Sequence, residues 1–482
     1  MAVNRDRDAL YASIHPSERQ IAYQQTEFYG FIHFTVNTFT DREWGDGTES
    51  EAVFAPVSLD ARQWARTARD GGMNGLILTC KHHDGFCLWP SALTEHSVKN
   101  SPYKEGRGDV VAETAAACAE YGLKFGVYLS PWDRNNPSYG TGTPYNDYFI
   151  GQLTELLTNY GEVFSVWFDG ACGEGPDGRR QVYDWDRYYR TVRALQPGAC
   201  ICVCGPDIRW CGNEAGDTRP SEWSVVPRRL CRAETVEAKS QREDSAAFRQ
   251  RCITSSDMDL GSREALRQED DLIWYPAEVN TSIRPGWFYH AAEDDQVKGF
   301  DVLRRIYLCS VGGNATFLLN LPPDRNGLIH PADAASLTEL GRFVRGAFRD
   351  NLAQRAVFTA ADALEGFGPD GLTQPGYDRY FRTAEGVYEA RVDAAWTEPQ
   401  RIRYVVLQEN IRLGQRIERF DVVCDDGQGG DRLLYSGTTV GYKRIVELPE
   451  TALVRRLSVI IRDARVFPTL AFFGAYGPYG GD

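Results

Sequence analysis

Gly75-Leu76-Ile77-Leu78-Thr79-Cys80-Lys81-His82-His83-Asp84-Gly85-Phe86 is the stretch on which the fold turns. Its first half, Gly75–Cys80, is nearly all apolar, as a parallel strand covered on both faces must be. The second half switches at once to Lys, His, His and Asp. A barrel gathers such chemistry at the C-terminal ends of its strands. The same change recurs along the chain. Apolar runs at Tyr29–Phe34, Lys124–Leu129, Val163–Phe168, Cys200–Val203, Glu222–Val226, Leu272–Val279 and Thr316–Leu319 supply seven more candidate strands. Helical patterns lie between them. Asp109–Tyr121 stops at Gly122, a C-cap signal. Tyr145–Tyr160 carries an aromatic and leucine stripe and stops at Gly161. Asp184–Gln196 stops before Pro197-Gly198, Phe300–Ser310 precedes the last strand, and Ala332–Val344 follows it. Eight strands in a β-then-α rhythm predict an α/β chain with a (β/α)8 TIM-like barrel. The polar stretch Arg228–Asp270 breaks the rhythm and reads as an insertion with short helices.

The texture changes after Phe348. Gly386–Val392, Ile402–Leu407, Ile417–Val423, Leu433–Ser436 and Val454–Ile461 are strand-like pieces separated by Gly, Asp and Pro turns. They predict an antiparallel β-sandwich. The division is therefore 1–347 for the barrel and 348–482 for the sandwich. The run Asp425-Asp426-Gly427-Gln428-Gly429-Gly430-Asp431 reads as a hairpin loop.

Composition removes whole classes of function. Among 482 residues, 53 Lys+Arg face 67 Asp+Glu, a net charge of −14. That argues against a nucleic-acid partner, which needs a basic face. No run approaches a membrane span of about 18 apolar residues. The N-terminal residues lack an apolar signal core, so a cytoplasmic location is expected, or an extracellular one if a signal has been removed. The 12 cysteines then read as reduced thiols. Cys200, Cys202 and Cys204 alternate as on a strand face, and with Cys211 they lack Cys-x-x-Cys knuckles. They are assigned to structure rather than to metal. The 11 Trp, 24 Tyr and 23 Phe point to stacking surfaces such as sugars use.

Read at the strand ends, the chain offers Ile32-His33-Phe34; Thr79 to Phe86; Tyr128-Leu129-Ser130-Pro131-Trp132-Asp133; Trp167-Phe168-Asp169-Gly170; Pro206 to Glu214; and Pro276-Ala277-Glu278. Imidazoles and carboxylates hydrogen-bond sugar hydroxyls, and two carboxylates flanking a bond are the minimum for glycoside hydrolysis. A metal barrel competes with this reading. Adjacent His82 and His83 point different ways along an extended segment, which makes joint ligation awkward, so neither a metal nor another cofactor is expected.

Trp167-Phe168-Asp169-Gly170, Lys81-His82-His83-Asp84-Gly85-Phe86-Cys87-Leu88-Trp89 and His33 resemble glycoside hydrolase family 29, the α-L-fucosidases. Three motifs in the right order on successive strands make the likeness specific. Ser130 to Asn135, Ile208-Arg209-Trp210-Cys211-Gly212-Asn213-Glu214 and Ser282 to Phe288 are similar to the subfamily that prefers branched α-1,3/1,4-fucosides. Cys211 stands where that family often has Val, a small apolar exchange.

The resemblance implies that Asp169 is the nucleophile and Glu214 the acid/base. Glu278 is a rival for the second role. It implies a fucose site made by His33, His82 and His83, with Trp44 and Trp132 as walls. Trp287 is either a site residue or core, and Tyr139, Arg209 and Asn213 are further binding candidates. The expected activity is retaining hydrolysis of terminal fucose from Lewis-type glycans, the partner being a fucosylated oligosaccharide or glycoconjugate. The alternatives are a relaxed-specificity fucosidase or transfucosidase, and a non-catalytic carbohydrate-binding barrel. Nothing in the residues fixes an oligomeric state.

Overall fold

The computed structural model describes residues 5–425 and 430–480. Eight parallel strands form one sheet: β1 Phe28–Ile32, β2 Gly75–Lys81, β3 Lys124–Leu129, β4 Ser165–Phe168, β5 Cys200–Val203, β6 Arg209–Trp210, β7 Ala277–Ser282 and β8 Ala315–Asn320. Their order is β5-β4-β3-β2-β1-β8-β7-β6. The ring closes through a parallel bridge from Cys202 to Ile208, with the Val203 N–H donating to the Ile208 carbonyl at 3.0 Å. Around the strands run α1 Ala61–Asp70, α2 Val110–Tyr121, α3 Thr143–Asn159, α4 Trp185–Leu195, α5 Phe300–Ser310 and α6 Pro331–Ala347. Local chemistry sets their ends. Asp109 caps α2 by accepting from the Ala112 N–H at 2.9 Å, and Gly122 ends it in the left-handed region at φ 67°. Tyr145, Phe149, Leu153, Leu156 and Leu157 form the buried stripe of α3.

Two strand expectations are corrected. Glu222–Val226 supplies no barrel strand. Val225–Pro227 pairs antiparallel with Leu272–Trp274 in a separate ribbon. The sixth barrel strand is instead the two-residue Arg209–Trp210, pressed against Ala277 and Glu278. Pro276 ends the ribbon, and β7 starts only at Ala277. Glu278 therefore sits at the beginning of its strand, away from the rim.

The C-terminal sheet contains β9 Val357–Thr359, β10 Ala390–Gln408, β11 Ile417–Asp425, β12 Arg432–Gly437, β13 Arg444–Ala464 and β14 Phe472–Tyr476, all paired antiparallel. It forms the expected β-sandwich around Val392, Leu407, Phe420, Val459, Ile461 and Phe473. β10 and β13 are longer than the sequence pieces because register shifts near Ala395 and Ile402 carry each strand through a bend. The centre of the expected hairpin loop, 426–429, lies outside the described residues, but Cys424 pairs with Arg432 across its base. The sandwich packs on the outer helices. Tyr404 and Tyr476 lie 5.5 and 5.4 Å from Phe348, and Arg304 reaches Glu447 at 2.8 Å.

All 12 cysteines are free thiols. Cys200, Cys202, Cys204 and Cys211 are buried. Cys202 contacts Ser165 Oγ at 3.3 Å and the Tyr23 hydroxyl at 3.4 Å, as core residues do. No helix among the described residues is long and apolar enough to cross a membrane.

Candidate active site

A cavity opens at the C-terminal rim. His33 follows β1, His82 and His83 follow β2, Asp169 follows β4, and Glu214 follows the short β6. All five line the cavity, together with Trp44, Trp210, Trp287 and the floor residues Phe31 and Trp167.

Hydrogen bonds fix the imidazoles before any ligand arrives. The Ser130 hydroxyl donates to the Trp132 carbonyl at 2.8 Å, so its oxygen can only accept from His83 Nδ1, at 2.7 Å. His83 Nε2 is thereby left as a lone pair, 3.9 Å from Asp169 Oδ2. Asn320 donates its amide to Ser282 Oγ and to the Trp287 carbonyl, so its Oδ1 accepts from His33 Nδ1 at 2.8 Å. His33 Nε2 is a second lone pair. Burial holds His33 down at about 4 and His83 down at about 3, and pushes His82 well below the usual imidazole range. The three rings are therefore neutral near pH 7. Two of them are acceptors for hydroxyl donors such as sugars present.

The carboxylates sit in contrasting surroundings. Asp169 accepts from the Tyr128 hydroxyl and the Ala171 N–H, both at 2.8 Å. Burial raises its pKa, and these two donors oppose the rise. Glu214 has one donor, the Trp287 indole N–H, at 2.9 Å from Oε2. Burial, with Asp169 as a further contributor, pushes Glu214 up to about 7 against that bond. Asp169 thus has two donors that favour its anion, whereas Glu214 has one and holds its proton up to about pH 7.

Glu278 is placed beneath the floor. It is fully buried and accepts from Tyr23, Tyr29 and the Trp167 indole at 2.8, 2.6 and 2.9 Å. With Trp167 between it and the cavity, it cannot reach a substrate. Asp133 is also internal, paired with the fully buried Lys81 at 2.9 Å.

The remaining candidates divide. Trp44 lines the cavity, edge-on to His83 at 5.2 Å. Trp132 lies one layer behind, 4.9 Å from His83, with its indole N–H on the Glu174 carbonyl. Tyr139, Arg209 and Asn213 do not line the cavity. Tyr139 bonds Tyr183 and the Gly173 carbonyl. Arg209 is consumed by a buried ion pair with Glu222. Asn213 folds its own loop through Ala215 and Asp217.

Several lining residues were not singled out from the sequence. Ser240 and Gln241 come from the insertion, which folds back over the rim. Asn280 holds the Trp210 indole at 2.9 Å. Behind the lining, Tyr128, which fixes Asp169, belongs to the third strand-end segment of the sequence, and Asn320, which fixes His33, ends β8, where the strand-end rule could have found it.

His82, His83 and Asp169 also bring ligand atoms within 4.8 Å of one another. This corrects the expectation that the two histidines diverge: their ring centroids are 4.0 Å apart. The trio could hold a cation, but only by taking the atoms that His82, His83 and Asp169 present at the cavity.

Known proteins share the sequence and the fold of this chain. The family model described as alpha-L-fucosidase matches residues 11–347. Alpha-L-fucosidase 1 of Arabidopsis thaliana is 38% identical over 469 residues, covering 96% of this chain and 87% of that protein. A candidate α-L-fucosidase from Bacteroides ovatus is 44% identical with a TM-score of 0.84, covering 100% of this chain and 77% of that one. A Ruminococcus gnavus family 29 fucosidase, solved in complex with fucose, is 29% identical with a TM-score of 0.82, covering 97% and 96% of the two chains. With the barrel matched throughout and relatives aligned over nearly the whole length, this chain belongs to glycoside hydrolase family 29, the α-L-fucosidases.

Proposed function

We propose that the enzyme removes terminal α-1,3/1,4-linked L-fucose from branched, Lewis-type glycans by double displacement, with Asp169 as nucleophile and Glu214 as acid/base. The observation that carries the assignment is the contrast between the two carboxyls. Glu214, held near 7, keeps a proton to give, while Tyr128 and Ala171 support Asp169 as an anion. His33 and His83 accept fucose hydroxyls through their bare Nε2 atoms, and Trp44 offers an apolar wall for the C6 methyl.

Asp169 attacks the anomeric carbon as the glycosidic C–O bond breaks. Glu214 delivers its proton to the departing oxygen, and a fucosyl-Asp169 ester forms. Glu214, now a carboxylate, takes a proton from water, which attacks the same carbon and releases Asp169. Configuration is retained. The sequence likeness of Ile208–Glu214 and Ser282–Phe288 to the branched-linkage subfamily supports the specificity.

Glu214→Ala should still form the fucosyl-enzyme from an aryl fucoside with a good leaving group, with azide restoring turnover. Normal hydrolysis of a natural fucoside by Glu214→Ala, or undiminished activity in Asp169→Ala, refutes the assignment. Product analysis on Lewis-type trisaccharides, α-1,2-fucosylated oligosaccharides and aryl fucosides tests linkage. Equal rates on all three would point to the relaxed fucosidase instead.

A further inference from the structure

Outside the cavity, an acidic side chain with no role in the chemistry above occupies a strategic position. Glu43 is buried, 6% exposed, in the loop that continues into Trp44. Its Oε2 accepts from the Trp287 backbone N–H at 2.8 Å. Its Oε1 accepts from the Phe288 N–H and from His290 Nε2, both at 2.9 Å. His290 is anchored in turn on Asp41 through Nδ1 at 2.9 Å. The Trp287 carbonyl is held by Asn320 at 2.7 Å. Trp287 is thus clamped on both sides of its backbone, and its indole N–H is aimed at Glu214 Oε2. Gly286 makes the approach possible, since a Cβ there would stand 2.6 Å from Glu43 Oε1.

We propose that Glu43 is a positioning residue for the acid step: its carboxylate fixes the Trp287 backbone so that the indole holds the Glu214 carboxyl in the orientation that protonates the leaving oxygen. This rests on Glu214 being the acid/base. Only a carboxylate suits the place, because both oxygens face donors. An amide would turn its NH2 toward at least one backbone N–H.

The test is Glu43→Gln assayed on two substrates. A Lewis-type trisaccharide needs protonation of its leaving group. An aryl fucoside with a good leaving group does not. General-acid assistance is worth about 10²–10⁴-fold, and mispositioning should forfeit roughly tenfold or more of kcat on the trisaccharide against less than about threefold on the aryl fucoside. KM should change little for either. Loss of equal size on both substrates would mean a merely structural role and overturns the proposal.

A double-mutant cycle adds a second readout. In a Trp287→Phe background the effect of Glu43→Gln on the trisaccharide should vanish, because Glu43 acts through the indole. Full additivity overturns the proposal. The pH profile gives a third. The charged groups around Glu214 are Asp169, Glu43 and Arg249. Loosening the indole removes a bond that favours the Glu214 anion, so the alkaline limb of kcat/KM should move to higher pH. A shift to lower pH would mean that Glu43 acts only by its charge, and refutes positioning. If Glu43→Gln does not fold, Gly286→Ala displaces the same carboxylate with its charge intact and should show the same substrate dependence. Glu214→Ala measured alongside separates the two failures. Normal trisaccharide turnover there defeats the acid/base assignment, whereas a dead Glu214→Ala beside an indifferent Glu43→Gln defeats only the positioning role.

Discussion

Glu214→Gln should stabilise the fold, by an amount that grows from about pH 4.5 to about pH 7 and then levels off. The argument is linkage. A glutamate ordinarily titrates near 4.5, and burial holds Glu214 near 7 in the folded chain. Between those values the unfolded chain has released its proton while the folded chain retains it. Stability therefore falls as pH rises from about 4.5 to about 7, and is flat above. The loss amounts to about 3 kcal/mol at about 1.36 kcal/mol per pH unit. Glutamine keeps the acceptor for the Trp287 indole and carries no charge, so the variant escapes the loss. Thermal unfolding of both proteins from pH 4 to pH 8.5 reads the difference. The Tm gap should be small at pH 4, open through the 4.5–7 window, and reach roughly 4 °C at pH 8 for a domain of this size. Other raised carboxyls, such as Asp84 and Glu409, titrate in both proteins and cancel. A gap that stays constant between pH 4.5 and 8, or that opens only below pH 4.5, would show that Glu214 is not held protonated. The acid role would then lose its physical basis.

Tyr128→Phe removes a donor that supports the Asp169 anion, so the acid limb of kcat/KM should move to higher pH; an unmoved limb means that the hydroxyl at 2.8 Å does not tune Asp169. Asp133→Ala strands the fully buried Lys81 ammonium and should cost about 3–5 kcal/mol in denaturant unfolding, whereas a loss below about 1 kcal/mol would deny the pair a structural role. Truncation at Phe348 uncovers Phe343 and strips Tyr404 and Tyr476 from the barrel, so the product should be insoluble; a soluble barrel with altered linkage preference would give the sandwich a part in specificity. Activity should survive a chelator, because the proposed mechanism uses Asp169 as a free carboxylate, and added Zn²⁺ should inhibit in competition with fucose if the His82–His83–Asp169 trio closes on it; loss of activity on chelation contradicts that mechanism.

The residues legible in the sequence are those whose burial or reactivity is local. Gly75–Cys80 announces a strand because both its faces are covered, and Asp169 announces a site because a carboxylate directly after Val166-Trp167-Phe168 has only the rim to occupy. Sequence fails where a partner decides. Val225–Val226 is as apolar as a barrel strand, yet it pairs with Ile273 and Trp274, a choice no local pattern records. Arg209–Trp210 is too short to read, because its place comes from its neighbours, β7 on one side and the Cys202–Ile208 bridge to β5 on the other. The same cause explains the site residues that fell away. Arg209 and Asn213 share a motif with Glu214, but the motif's work is to build the loop: one residue pairs with Glu222, the other binds Ala215 and Asp217, and only Glu214 is left facing the cavity. A motif therefore marks a neighbourhood, and the hydrogen-bond partners decide which of its members are free to meet a substrate. By that measure the unassigned Asn320 carries more information than Tyr139. Its amide is spent on Trp287 and its carbonyl oxygen on His33, so a single strand-end residue fixes both the His33 ring at the cavity and the loop whose indole holds the Glu214 carboxyl.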